Sequence, residues 1–186
     1  MIVGKRVRLR AVERADLPAI QRWMNDPEIL KRIYTWRHLS IADEERWLEG
    51  LSGSTTDFVF AIEATDGEGV SPRFLGTTGI HGVDWKNRLC SVGIVIGDER
   101  ERGRGLGTEA LFLLARYAQQ ELGMHRVELE VYPFNQPAIR SYEKLGFSHD
   151  GTRRGATFRE GRFQDVLVMG VLPGELKDPG SAPAAR

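Results

Sequence analysis

Short segments in which apolar and polar residues alternate, or in which apolar residues run together, predict a series of β-strands. Seven such segments occur in the chain, at residues 6–12, 58–62, 74–83, 89–96, 126–132, 147–158 and 163–172. The segment at 89–96 is apolar on both faces in its second half, which is typical of a buried central strand. The turn Glu160-Gly161 joins the last two segments.

Four further segments carry apolar residues at three- and four-residue spacing, which predicts helices. The first follows Asp16, and the second begins at the capping-box sequence Ser40–Asp43. The third ends at Gly123, and the fourth runs from Asn135 to just before Gly146. The order strand, two helices, three strands, helix, strand, helix, two strands predicts an α/β domain with a mixed sheet.

The composition fits one globular domain. The chain has 186 residues, of which 41% are hydrophobic and 28% charged, and a domain usually contains about 100–200 residues. Residues 173–186 contain Gly, Pro, Ser and Ala without periodicity, so we expect residues 1–172 to form the domain and residues 173–186 a disordered tail. Residues 66–72 are predicted to form a loose hairpin loop.

Charge and cysteine content exclude several classes of protein. The 26 Lys and Arg residues balance 26 Asp and Glu residues, and a net charge of zero argues against a general nucleic-acid or membrane binder. Cys90 is the single cysteine, which fits a reducing compartment. The chain has no long apolar run and no apolar signal-peptide segment. These features predict a cytoplasmic protein, and the four histidines show no metal-ligand spacing, so no metal is predicted.

A charged, glycine-rich loop at residues 97–107 joins the central strand to the third helix. Backbone N–H groups at a helix N-terminus attract anions, and glycines let a phosphate approach closely. Three glycines at alternate positions and two arginines exceed what a plain connector needs. These five residues, which predict an anion-binding loop, are Arg102, Gly103, Arg104, Gly105 and Gly107.

Two common nucleotide-binding patterns do not fit this loop. The P-loop pattern requires Lys and then Ser or Thr after its last glycine, whereas Gly107 is followed directly by Thr108. The dinucleotide fingerprint requires a glycine at position 108, where the chain has Thr108. A nucleotide-binding oxidoreductase is therefore a weak alternative.

The pattern Arg102-x-x-Gly105-x-Gly107 resembles the acetyl-CoA pyrophosphate loop of the GNAT N-acetyltransferase superfamily. A second stretch, residues 135–147, resembles another signature of that family, with Asn, Ala, Tyr and Gly-Phe at fixed spacing. The resemblance covers about residues 5–172, and both ends resemble the branch of ribosomal-protein N-terminal and spermidine acetyltransferases.

The resemblance implies a fold, a cosubstrate and an acid. The fold is the GNAT fold, a single domain with a mixed, mostly antiparallel, seven-stranded sheet splayed between its fourth and fifth strands and flanked by about four helices. The cosubstrate is acetyl-CoA, with pantetheine pairing with the backbone of Ile94, Val95 and Ile96. Asn135 would steady the cofactor arm, and Tyr142 would donate a proton to the CoA sulfur. The pyrophosphate would meet backbone amides at Arg102, Gly103, Arg104, Gly105, Leu106, Gly107 and Thr108.

The general base is where the sequence departs from the family pattern. Ser91 stands where many relatives have Glu, and Thr157 occupies the place of another Glu used in this branch. His81 is one candidate base, acting directly or through water. Glu128, Glu130 and an ordered chain of water molecules are the alternatives.

The acceptor is expected to bind opposite the cosubstrate, against the first two helices and the loop between them. Tyr34, Trp36 and Arg37 are candidates for lining that site. The acidic run Asp43–Glu45 either attracts a cationic amine or stabilises the first turn of its helix.

The implied activity is direct acetyl transfer to a primary amine in a ternary complex, with a protein N-terminus, a polyamine or a small amine as acceptor. The missing carboxylate base motivates an alternative function, a CoA-binding sensor or scaffold. A nucleophilic pair of Cys90 and His81 is a further, weaker alternative. Open sheet edges permit a homodimer.

Overall fold

The computed structural model describes residues 1–65 and 71–180, and this part of the chain forms eight strands and five α-helices. The strands are β1 Ile2–Val3, β2 Val7–Ala11, β3 Phe58–Ala64, β4 Arg73–Asp84, β5 Leu89–Ile96, β6 Arg126–Val131, β7 Ser148–Arg159 and β8 Arg162–Val171. The helices are α1 Leu17–Met24, α2 Pro27–Leu30, α3 Ile41–Ser52, α4 Leu106–Gln120 and α5 Gln136–Lys144.

All seven predicted strands and all four predicted helices are present, so the α/β fold class is confirmed. The sequence analysis missed β1 and α2 because two and four residues are too few to show a period. The helix α2 begins one residue after Asp26, whose carboxylate accepts hydrogen bonds from the backbone of Glu28 and Ile29. Asp26 is thus the N-cap of α2 and Pro27 its first residue, a combination that favours a helix start.

The sheet has the strand order β1-β2-β3-β4-β5-β6-β8-β7, and eight strands replace the predicted seven. Every neighbouring pair is antiparallel except β5 and β6, which are parallel. The prediction of a mixed, mostly antiparallel sheet is therefore confirmed. The edge strands are β1 and β7, and a homodimer through the edge near the C-terminus, formed by β7, stays a prediction.

The sheet opens between β5 and β6, as the predicted splay requires. The two strands pair only at Leu89–Ser91 with Arg126–Glu128. Beyond this point β5 continues to Ile96 with β4 as its partner, while β6 continues to Val131 with β8 as its partner. The two strands thus diverge, and the gap between them is the base of a cleft.

The main hydrophobic core lies between the sheet and α4, which packs against β2, β4 and β5. Leu106, Leu111 and Leu114 of α4 are buried in it, as is Cys90 of β5. Burial raises the pKa of the Cys90 thiol to about 12, so the nucleophilic thiolate is scarce at neutral pH. This contradicts the Cys90–His81 hypothesis. A smaller cluster joins α1, α3 and β3.

Part of the predicted tail is ordered. Residues 173–180 return to the domain, where Leu176 packs against the main core and the Lys177 N–H donates to the Leu145 carbonyl oxygen at 2.9 Å. Gly146, with φ of 94°, permits this close approach because a side chain there would overlap the Glu175 carbonyl. Residues 181–186 of the predicted tail and residues 66–70 of the predicted hairpin loop lie outside the described residues.

No helix within the described residues has both the length and the apolar character needed to cross a membrane. The cytoplasmic location stays a prediction.

Candidate active site

A cavity of about 1320 Å³ occupies the gap between β5 and β6. One wall is formed by β5, the glycine-rich loop and α5, and the other by α1, α3 and the loop between α2 and α3. The predicted cosubstrate and acceptor sides therefore face one space. Of the predicted catalytic and cosubstrate residues, those that line the cavity are Tyr142, His81, Ile94, Val95, Ile96, Arg102, Gly103, Gly105, Gly107, Thr108 and Asn135.

Two predicted cosubstrate residues do not line the cavity. The Leu106 side chain is buried in the core, so only the backbone amide of Leu106 could take part in the predicted binding of the pyrophosphate. The Arg104 side chain instead donates to Glu101 at 2.5 Å, and the Arg104 carbonyl oxygen accepts from Arg6 at 3.0 Å. The predicted extra cation on the loop is therefore paired within the protein.

The edge of β5 facing β6 has no strand partner beyond Ser91. Two carbonyl groups of this segment are bound by side chains, since Thr78 Oγ1 donates to the Gly93 oxygen at 2.8 Å and Arg102 Nε to the Ile96 oxygen at 3.1 Å. The segment Ile94–Ile96 has no strand partner on its β6 side, so its remaining main-chain groups are open to pairing by an extended ligand.

The glycine-rich loop turns sharply where it enters α4. Gly103 and Gly105 have φ of 74° and 80°, the left-handed region that disfavours other residues. At Gly107 the constraint is space rather than backbone conformation, because a Cβ there would lie 3.2 Å from Ile96 Cγ1. The loop therefore presents its backbone amides and the positive end of α4 at close range, which suits a diphosphate.

Charge around the loop favours an anion on the cavity side. Arg102, Arg140 and Lys144 line this part of the cavity. The carboxylate in the first turn of α4 belongs to Glu109, and it accepts hydrogen bonds from the backbone of Lys5 and Arg6 at 2.6 and 2.8 Å, outside the cavity lining. The helix N-terminus therefore keeps its positive potential toward the cavity.

Tyr142 lies on α5, which is tied to α4 by a 2.7 Å hydrogen bond between the hydroxyls of Thr108 and Ser141. Burial raises the pKa of Tyr142 to about 12. The phenol is therefore protonated at neutral pH and has a proton to donate. This hydrogen bond fixes the position of the helix that carries Tyr142 relative to the glycine-rich loop that precedes α4.

Asn135 occupies the N-cap position of α5, but its side chain makes no capping hydrogen bond. The amide lines the cavity instead. The Asn135 side chain is therefore not engaged in capping and is available to a ligand.

The His81 ring lies over Gly79 and Gly93 of the sheet. A methyl group added at Gly79 would lie only 2.7 Å from Nε2, and one added at Gly93 would lie 3.9 Å from it. The other ring nitrogen, Nδ1, is 3.3 Å from Asp57 Oδ1. A carboxylate at Nδ1 favours the tautomer in which Nε2 carries a lone pair. His81 thus has the arrangement expected of a general base.

Asp57 is a residue that the sequence analysis missed. Its carboxylate accepts from Thr56 Oγ1 at 2.8 Å and Ser54 Oγ at 3.2 Å. Burial opposes ionisation of Asp57, but the hydrogen bonds from Thr56, His81 and Ser54 outweigh it and lower the pKa of the carboxyl. Only the run of short polar residues before β3 marked this position, and nothing in the sequence connects it to His81, 24 residues away.

The other predicted bases differ in their surroundings. Glu130 lines the cavity but forms an ion pair with Arg153. Glu128 is outside the lining and is bound by Arg126 at 3.2 Å. Among these groups, His81 combines a position in the cavity with a nitrogen that has no protein partner within the described residues. Ser91 lines the cavity as well, and Thr157 does not.

The loop between α2 and α3 lines the cavity on the side where the acceptor is predicted to bind, and Tyr34, Trp36 and Arg37 belong to this lining. Arg159 at the end of β7 donates to the carbonyl oxygens of Ile33 and Thr35 at 2.6 and 2.8 Å. These bonds tie the loop to the far edge of the sheet. Burial and then a hydrogen bond with Glu130 raise the pKa of Tyr34.

The acidic residues at the start of α3 have three different surroundings. Asp43 completes the predicted capping box, and hydrogen bonds from Ser40 lower the pKa of Asp43 to about 2. Glu45 is exposed and lies outside the lining. Glu44 is 3% exposed and lines the cavity. Its position three and four residues before Trp47 and Leu48 is a sequence signal for a shared helix face.

Comparison with known proteins agrees with this geometry. The profile of the acetyltransferase (GNAT) domain matches residues 6–148. An uncharacterized N-acetyltransferase, p20 of Bacillus licheniformis, is 26% identical over 92% of this chain and 95% of its own length. The spermidine N(1)-acetyltransferase of Vibrio cholerae is 24% identical over 91% of this chain and 95% of its own length.

Solved structures show the same fold. The crystal structure of spermidine N-acetyltransferase from Vibrio cholerae in complex with CoA and spermine superposes with a TM-score of 0.84 at 23% identity, covering 92% of this chain and 98% of that one. The family profile, the relatives and the cleft agree. This chain belongs to the GNAT family and is an acetyl-CoA-dependent N-acetyltransferase.

Proposed function

We propose that this acetyltransferase acts on a small primary alkylamine, with Tyr142 as the general acid and His81 as the general base. The observation that carries the proposal is that one cavity contains the anion-binding loop, the protonated phenol of Tyr142 and the Asp57-supported imidazole of His81. The printed names of the Vibrio cholerae relatives, which are spermidine acetyltransferases, support an alkylamine acceptor.

The residues present fit acetyl-CoA as a substrate. The loop amides from Arg102 to Thr108 and the cations Arg102, Arg140 and Lys144 suit its phosphate groups. The unpaired edge of β5 suits the amide groups of its pantetheine arm. The amide of Asn135 supplies a further polar contact in the same cavity.

The reaction requires a base that removes a proton from the acceptor nitrogen and an acid that protonates the leaving thiolate. An alkylammonium acceptor loses a proton to His81 Nε2 so that its nitrogen lone pair can attack the thioester carbonyl carbon. Backbone N–H groups at the free edge of β5 stabilise the oxyanion that forms. The carbon–sulfur bond then breaks, Tyr142 donates its proton to the leaving thiolate, and the second proton that the acceptor nitrogen loses restores the neutral phenol. The products are the N-acetylamine, CoA and one proton released to solvent.

Asp57 keeps His81 in the productive orientation in this scheme. Its carboxylate accepts a hydrogen bond from Nδ1–H, which leaves Nε2 as the basic nitrogen toward the cavity. The missing carboxylates at positions 91 and 157 therefore do not leave the cavity without a base. This argues for an active enzyme rather than the sensor or scaffold that the sequence allowed.

The test is an acceptor screen with acetyl-CoA, in which released thiol and the acetyl mass shift are measured for polyamines, alkylamines and peptides with free N-termini. We expect acetylation of alkylamines, and we expect Tyr142→Phe to lower kcat by about 100-fold with unchanged CoA affinity. Tyr117→Phe is the matched control, since Tyr117 packs against Phe60 outside the cavity. CoA binding without acetylation of any amine would establish the sensor instead.

A further inference from the structure

The acceptor side of the cavity contains a carboxylate whose charge nothing in the described residues balances. Glu44 of α3 is 3% exposed, and its Oε1 is buried without a hydrogen-bond partner. The described residues give Glu44 neither a hydrogen bond nor an ion pair. A buried carboxylate without a partner is costly, so its retention calls for an explanation.

The other carboxylates that line the cavity are all paired. Asp43 accepts from Ser40 and Arg46, each at 2.6 Å. Glu101 accepts from Arg104 at 2.5 Å. Glu130 is paired with Arg153. Glu44 is therefore the cavity carboxylate with free capacity for a cation among the described residues.

The cations on the same wall do not neutralise Glu44. Arg37 lies 3.8 Å from Asp43 Oδ1, and Arg32 donates to the Glu28 carbonyl oxygen at 2.7 Å. Burial and then the charge of Asp43 raise the pKa of Glu44, as expected for a carboxyl group that has no cationic partner, and a bound cation would oppose this shift.

The surroundings of Glu44 suit an alkyl chain. Ile20 and Met24 of α1 and Trp47 of α3 line the cavity, and α1 packs against α3. An apolar wall with a single unpaired carboxylate matches a ligand that has a hydrocarbon chain ending in an ammonium group. Such a wall also strengthens the attraction between opposite charges because it excludes water.

We propose that Glu44 binds the distal ammonium group of a diamine or polyamine acceptor and thereby determines the preference of the enzyme for acceptors with a second positive charge. The proposal rests on the amine acceptor proposed above. The reacting amine must be neutral to attack, whereas a carboxylate stabilises an ammonium that stays charged. Glu44 belongs to the α1–α3 wall, whereas Tyr142 and His81 belong to α5 and β4.

Calorimetry on the CoA-saturated protein tests this without turnover, using 1,4-diaminobutane and n-butylamine, which share a four-carbon chain and differ by one ammonium group. The wild type should bind the diamine at least about 10-fold more tightly than the monoamine. Glu44→Gln, and independently Glu44→Met, should reduce this preference to less than about 3-fold. Glu45→Gln is the matched control, because it removes the same charge from an exposed neighbour.

Thermal unfolding of the variants distinguishes a ligand-binding role of Glu44 from a structural role. Because Glu44 is buried without a partner, both of its variants should melt no lower than the wild type in the absence of ligand. A wild type that does not prefer the diamine, variants that keep the preference, or a loss of preference that also appears in Glu45→Gln would overturn the proposal. If the preference follows Glu44 but neither amine is acetylated, the inference stands and the proposed function fails.

Discussion

Substituting Gly107 by Ala tests whether the glycine-rich loop holds acetyl-CoA at the place assigned to it. The new Cβ would lie 3.2 Å from Ile96 Cγ1, 3.6 Å from Ile96 Cδ1 and 3.7 Å from Ile94 Cδ1. Ordinary carbon contacts are about 3.5–4.0 Å, so the Ile96 side chain must move by a few tenths of an ångström. Because Ile96 lines the cavity, this movement and the added methyl group narrow the cleft next to the loop.

We expect Gly107→Ala to weaken CoA binding by about 10-fold, equivalent to about 1.4 kcal/mol. The folded state should not lose stability, since alanine favours the helical conformation by up to about 1 kcal/mol over glycine. Affinity is measured by calorimetry with CoA, and stability by thermal unfolding without ligand.

Gly103→Ala is the contrasting variant. A Cβ at Gly103 meets no atom within 4 Å, but the backbone has φ of 74°. Left-handed backbone costs a residue other than glycine about 1–2 kcal/mol, which lowers Tm by about 2–8 °C in a chain of this size. Gly103→Ala should therefore lose stability, whereas Gly107→Ala should lose affinity. Wild-type CoA affinity in a folded Gly107→Ala protein would refute the placement of the ligand against this loop.

Two further predictions concern the acid and the base. Burial raises the pKa of Tyr142 to about 12, so the phenol keeps its proton up to about pH 10. We therefore expect kcat, measured from pH 7 to about pH 10, to show no decrease at the alkaline end. A decrease in this range would contradict Tyr142 as the general acid. Asp57→Asn keeps a hydrogen-bond acceptor for His81 Nδ1 but removes the charge that stabilises the protonated ring, and it should lower kcat by about 10-fold without changing KM for acetyl-CoA. The same change at Asp84, which caps the turn after β4, should leave kcat unchanged, and equal losses at both positions would refute the role of Asp57.

Local sequence determined much of the fold and the cosubstrate side. The capping box at Ser40 and Asp43, the turn at Glu160-Gly161 and the helix-ending Gly123 and Gly146 appear where short-range patterns placed them. Such features depend on residues within one turn of each other, so periodicity and capping chemistry suffice to locate them. The glycine-rich loop was recognisable for the same reason.

Only the tertiary structure determined the surroundings of the proposed base and of the proposed acceptor side. The pair Asp57–His81 joins residues 24 positions apart, and Arg159 reaches the acceptor loop across more than 120 positions. No local pattern specifies such contacts, because they depend on strand register and on how the loops pack over the sheet. Likewise, the sequence placed Glu44 among three similar acids, and only the packing of α1 against α3 buried one of them without a partner. Neighbours in sequence thus set the elements, whereas burial and pairing between distant residues set the chemistry of the cavity.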